Sequence, residues 1–154
     1  MHLSRSALVI IGVVALVGAA TALYVIVGVP AQERAAAQSL VEEFGTKLQG
    51  VSLLEENAPS VIASTYTPYA TPELIESWQA DPENAPGRLT SSPWPVAIKV
   101  NELAKQGSGY VVNGSVVMET SSGAAGEIPL VILVVRQDGD WRIAAYQEQI
   151  SEND

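Results

Sequence analysis

The apolar residues of this chain change their spacing once, and that change fixes the class of fold. From Ala31 onward, Ala37, Leu40, Val41, Phe44 and Leu48 recur three and four apart. That spacing makes one face of a helix. Beyond Pro95, Val96, Ile98 and Val100 alternate with Lys99 and Asn101. That is the period of a half-buried strand. Helices followed by strands predict an α+β domain, with helices covering one face of an antiparallel sheet.

The punctuation between these stretches sets the element count. Pro30 suits a first helical turn, and the stretch Glu55 to Pro59 breaks the first helix. Val61, Ile62 and Tyr66 fit a second, short helix. Thr71 can cap a third, with Pro72 in its first turn, Glu73 at the positive end of its dipole and Leu74, Ile75 and Trp78 on its apolar face. Asp81 to Pro95 holds four prolines and a glycine and reads as a long loop. Four strands follow. The first runs from Val96 to a turn at Gln106–Gly109, and the second from Tyr110 to Thr120. A flexible connection, Ser121 to Gly126, leads to Ile128–Val135, and a tight turn at Asp138–Gly139 leads to Trp141–Tyr146. The third strand is apolar on both faces. One helical layer covers one face only, so the other needs a second cover.

Ahead of this domain, residues 7–29 carry no charge. As a helix they reach roughly 34 Å, enough to cross a bilayer's hydrocarbon core. Arg5 precedes the run, and Gln32–Glu33–Arg34 after it have no net charge. The positive-inside rule then puts residues 1–6 in the cytoplasm and the α+β domain, 30–149, outside, with a flexible tail at 150–154. The expectation is a single-pass anchor in contact with the lipid bilayer through 7–29. The alternative is a cleaved signal with Ala20–Thr21–Ala22 as its small-residue site and a secreted product.

Charge and composition exclude several function classes. All 17 acidic residues follow Pro30, against seven of the eight bases, so the domain is near −10. Its bases are scattered, which argues against nucleic acid as a partner. The chain has no cysteine, and its one histidine is His2. Neither a thiol nor a histidine-based triad can be built from it. The aspartates Asp81, Asp138, Asp140 and Asp154 fall in a loop, a hairpin turn and the tail. No catalytic, cofactor or metal site is assigned.

The ending VILVVRQDGDWRIAAY, Val131 to Tyr146, combines an apolar strand, an Asp–Gly turn and Trp–Arg–Ile. With a long first helix, two short helices and a proline-rich crossover, it resembles the nuclear transport factor 2-like (SnoaL-like, ketosteroid-isomerase-like) superfamily. The resemblance implies a cone-like domain, about three helices packed on a curved four-stranded meander. It also implies two roles. One is a scaffold subunit of an envelope assembly such as a conjugation or secretion machine. The alternative is a small-molecule-binding or enzymatic pocket inside the cone. The residues expected to meet a partner or line a pocket are Tyr66, Tyr69, Arg88, Trp94, Val131, Leu133 and Val135. Expected partners are another envelope protein or a second copy of the chain. The favoured function is a non-catalytic binding or scaffold domain.

Overall fold

The computed structural model describes residues 30–149. The chain divides into one unit of residues 1–35 and another of residues 36–154. Helix α1 covers 30–45, and its first residues, 30–35, belong to the first unit. The sequence expectation of a transmembrane helix is corrected here. Among the described residues no helix is long and apolar enough to cross a membrane. Helix α1 carries Glu33, Arg34, Glu42 and Glu43, so only one of its faces is apolar. The run 7–29, with the bilayer contact expected of it, lies outside the described residues, as does the tail 150–154. The fold described is α+β: three α-helices and one four-stranded antiparallel sheet.

Each helix forms where its sequence supplies one buried face. In α1, Ala37, Val41, Phe44 and Leu48 just beyond its end are buried. Gly45 closes that helix because β1 runs against it: a Cβ there would lie 2.3 Å from the Ile98 amide nitrogen. Helix α2 (Ala58–Tyr66) buries Ala58, Ile62 and Tyr66, each four apart. Helix α3 (Pro72–Ala80) starts at Thr71, whose side chain accepts from the Leu74 amide, and buries Ile75 and Trp78.

The sheet is a meander in the order β1 (Trp94–Gln106), β2 (Gly109–Thr120), β3 (Gly123–Gln137) and β4 (Asp140–Glu148). Asp138 and Gly139 both have positive φ, 53° and 90°, the conformation a two-residue hairpin needs. The segment Ser121–Gly126, expected to be a flexible connection, is shorter as a loop than the sequence implied. Gly123, Ala124 and Gly126 pair with Thr120, Glu119 and Met118, because glycine supplies the positive φ of that irregular stretch. Irregular register in β1, at Met118/Glu119 and at Leu133/Val134 bends the strands.

One face of the sheet forms the core with the helices. Ile98, Leu103, Tyr110, Val112, Val116, Leu130, Ile132, Val134 and Ile143 lie on it, all buried. Each buried aliphatic side chain contributes about 1.5–3 kcal/mol. The corner between α2 and α3 is sewn to β4: Ile143 N–H donates to Tyr69 C=O at 2.8 Å, and Thr71 N–H donates to Ile143 C=O at 2.9 Å. This pairing covers part of an edge that would otherwise be open.

Candidate functional site

The second face of the sheet is where the sequence asked for a cover. Alternation along β3 puts Leu130, Ile132 and Val134 in the core and Val131, Leu133 and Val135 on the opposite side. Leu133 sits between Val111 of β2 and Ala145 of β4, and Val131 between Asn113 and Gln147. Val111, Val131, Leu133 and Val135 are half-buried by these neighbours, yet none belongs to the core or packs against it. Further along the same face the surface turns polar. Lys99 pairs with Glu127 at 3.2 Å, and buried Ser115 donates to the same carboxylate. The bonds from Ser115 and then Lys99 hold the Glu127 carboxyl below its ordinary range.

The expected contact residues on the helical side are distributed differently. Tyr66 is not at a surface: it is wholly buried, because Phe44 and Trp78 close on its ring at centroid distances of 4.9 and 5.7 Å. Its hydroxyl donates to Pro86 C=O at 2.7 Å, and burial pushes the phenol well above its usual range. Tyr69 is half-buried, 6.0 Å from Phe44. Tyr146 packs 6.1 Å from Phe44 and 6.2 Å from Trp78, and its hydroxyl donates to Glu148 at 2.7 Å. Burial first, then the Glu148 charge and hydrogen bond, raise its pKa. These rings fill the space between helices and sheet.

Among the described residues Arg88 makes no cation–π contact with Trp94. Trp94 opens β1, half-buried. Among the described residues, the cation–π contacts are Lys105 over Tyr110 and Arg136 over Trp141. Arg88 is instead built into a small pairing with the segment after α1. Its amide donates to Val51 C=O at 2.8 Å, and its carbonyl accepts from Leu53 N–H at 2.9 Å. The stretch Asp81–Pro95 is therefore pinned at its middle, with Ala85 and Pro86 buried, and is not one open loop. Beside it lies a cleft of about 170 Å³ lined by Ser52, Leu54, Arg88, Leu89, Thr90 and Ser91. Leu54 and Leu89 are 64% and 49% exposed, the large hydrophobic residues most open to solvent among those described. Sequence reading passed over both. An aliphatic residue inside an otherwise polar loop was the signal available.

A larger groove, about 430 Å³, runs between α2, α3 and the β3–β4 hairpin, with Thr67, Ile75, Glu76, Gln79, Asp138 and Arg142 among its lining residues. Arg142 is engaged there: Nη1 donates to Pro68 C=O at 3.0 Å, and Nη2 lies 3.4 Å from Asp140. Among the described residues no group of three or more potential metal ligands is brought together.

No protein-family model matches this chain, and no curated protein does. Among solved structures, the chain is similar to one from the type VI native effector–immunity complex Tae3–Tai3 of Ralstonia pickettii. The identity is 14% and the TM-score 0.47, over 75% of this chain and 97% of that one.

Proposed function

We propose that this is a protein-binding domain, displayed outside the cytoplasm, and that its partner lies on the open face of the sheet. The observation that carries the reading is the stripe Val111, Val131, Leu133 and Val135, apolar and half-buried but packed on nothing in the core. These side chains are already half-buried, so covering the stripe gains only part of the about 1.5–3 kcal/mol that full removal from water gives each. The uncharged run behind Arg5 supports export. A second copy of the chain is the simplest occupant, since two-fold contacts are the commonest kind.

Two aspartate substitutions test this. Ile132→Asp puts a charge in the core and is expected to unfold the domain. Leu133→Asp puts it on the open face and is expected to leave the fold intact, by circular dichroism, while weakening association. Both chains keep the same apolar run, so any difference in sedimentation between Leu133→Asp and the parent belongs to the sheet. Identical sedimentation across micromolar concentrations would remove the second copy as the occupant.

A second reading, a small-molecule site, has one observation in its favour. The groove between α2, α3 and the β3–β4 hairpin, about 430 Å³, falls within the size of ordinary ligand pockets.

A further inference from the structure

Two adjoining cavities lie between the crossing Asp81–Pro95 and the sheet. The larger, about 340 Å³, has Leu53, Glu83, Ala85 and Tyr146 in its lining. The smaller, about 130 Å³, has Pro93, Pro95, Val116, Met118 and Ile128. Gly87, Leu89 and Glu148 line both, so the two make one cleft with an apolar end. Glu148 is held in place where they meet. Tyr146 O–H donates to its Oε1 at 2.7 Å. The Tyr146 ring packs against Phe44 and Trp78, and burial, then the Glu148 charge, keeps its phenol protonated and a donor. Glu148 Oε2 accepts no hydrogen bond from a described residue, and it is not a buried atom, so a ligand can reach it. Among the described residues Glu148 has no ion pair. No described lysine or arginine lines either cavity, and Glu83 brings a second carboxylate to the larger one. Arg88, between Gly87 and Leu89 in the chain, lines the neighbouring cleft with Ser52 and Leu54.

We propose that this cleft binds a small organic amine, with its protonated nitrogen on Glu148 and an aromatic or branched aliphatic group in the smaller cavity. A half-buried carboxylate with one oxygen already positioned offers the other to an ammonium, as a charge-assisted hydrogen bond. Glu83 and the domain's charge near −10 favour a cation over a neutral or anionic ligand. The smaller cavity is close in size to an apolar one of roughly 150 Å³ that holds benzene, so it suits a single ring. Met118 gives its wall a side chain that adapts to shape. The larger cavity, about 340 Å³, leaves room for the nitrogen and what is attached to it. This site stands apart from the open sheet face and from the groove beside α2 and α3, and it depends on neither.

The test reads Met118. The chain has two methionines, Met1 and Met118, so carbon-13 labelling of the methionine methyls in the full chain gives one signal from the cleft. Phenethylamine, 2-phenylethanol and phenylacetate share a ring and differ in charge. Each is titrated against that signal near neutral pH. The amine is expected to shift it saturably, at about tenfold lower concentration than the alcohol, and phenylacetate is expected to leave it in place. Glu148→Gln should bring the amine to the affinity of the alcohol. The glutamine keeps an oxygen for the Tyr146 hydroxyl, and the comparison of the three probes on the parent chain needs no variant at all. Leu133→Asp, on the sheet face, should leave the preference unchanged. Equal affinity for amine and alcohol, a preference for the amine that survives Glu148→Gln, or no saturable shift below about 10 mM amine would overturn the proposal.

Discussion

Removing one oxygen atom tests how the loop is held. Tyr66→Phe keeps the ring and its packing against Phe44 and Trp78 but deletes the donor to Pro86 C=O. Pro86 is itself buried, so its carbonyl loses its partner away from water. The expected cost is about 1–3 kcal/mol. For a domain of this size that corresponds to a fall in Tm of roughly 4–12 °C. Urea and thermal unfolding of the parent and the variant measure it. The pH dependence provides a second readout with a defined sign. Burial raises the Tyr66 pKa in the fold above its unfolded value. The phenol's contribution is therefore fully present below about pH 10, where both states are protonated. Above that, the unfolded chain releases a proton that the folded one retains, and stability falls. Phenylalanine has no such proton, so the gap between the two proteins should narrow as pH rises past about 10. A difference below about 0.5 kcal/mol near neutral pH, or one that does not change in alkali, would refute the reasoning.

Ser115→Ala should move the Glu127 pKa back up toward the ordinary carboxylate range, because Ser115 is the first cause of its depression. A carbon-13 titration of the Glu127 carboxyl reads this directly. The interaction is present above the unfolded pKa and is lost as pH falls through the folded one, so an unmoved pKa would remove Ser115 as the cause. Gly45→Ala should destabilise by about 1–3 kcal/mol in thermal unfolding, since the added methyl meets the backbone of Ile98. An unchanged Tm would mean that α1 and β1 can separate there without loss.

What the sequence made legible was local. Thr71–Pro72–Glu73 carries its own start signal, and α3 begins at Pro72. Asp138–Gly139 supplies two positive φ angles, and the β3–β4 hairpin turns there. The apolar run of β3 showed in advance that both faces would be apolar, but that Leu130, Ile132 and Val134 face the helices while Val131, Leu133 and Val135 share the other side emerges only with the register. What was not legible depends on distant partners. Tyr66 reads as a surface candidate until Pro86, twenty residues on, supplies its acceptor. Nothing periodic announces that residue 88 pairs with residues 51 and 53, because a single bridge leaves no alternation in either segment. Gly123 to Gly126 looks like a spacer on composition, and only its pairing with β2 makes it strand.

The clamp at Ala85 to Arg88 also changes how the proline-rich crossing can vary in length. Because it is fixed in the middle by Tyr66, Val51 and Leu53, the crossing closes as two short spans, and each bears its own small ordering entropy. The first span holds one 3-10 turn at Pro82–Asn84, so residues could be added most readily in the second, between Thr90 and Pro93, without changing where Arg88 is held. The exposed ends can drift in length and sequence while the guanidinium keeps its address beside Leu54 and Leu89.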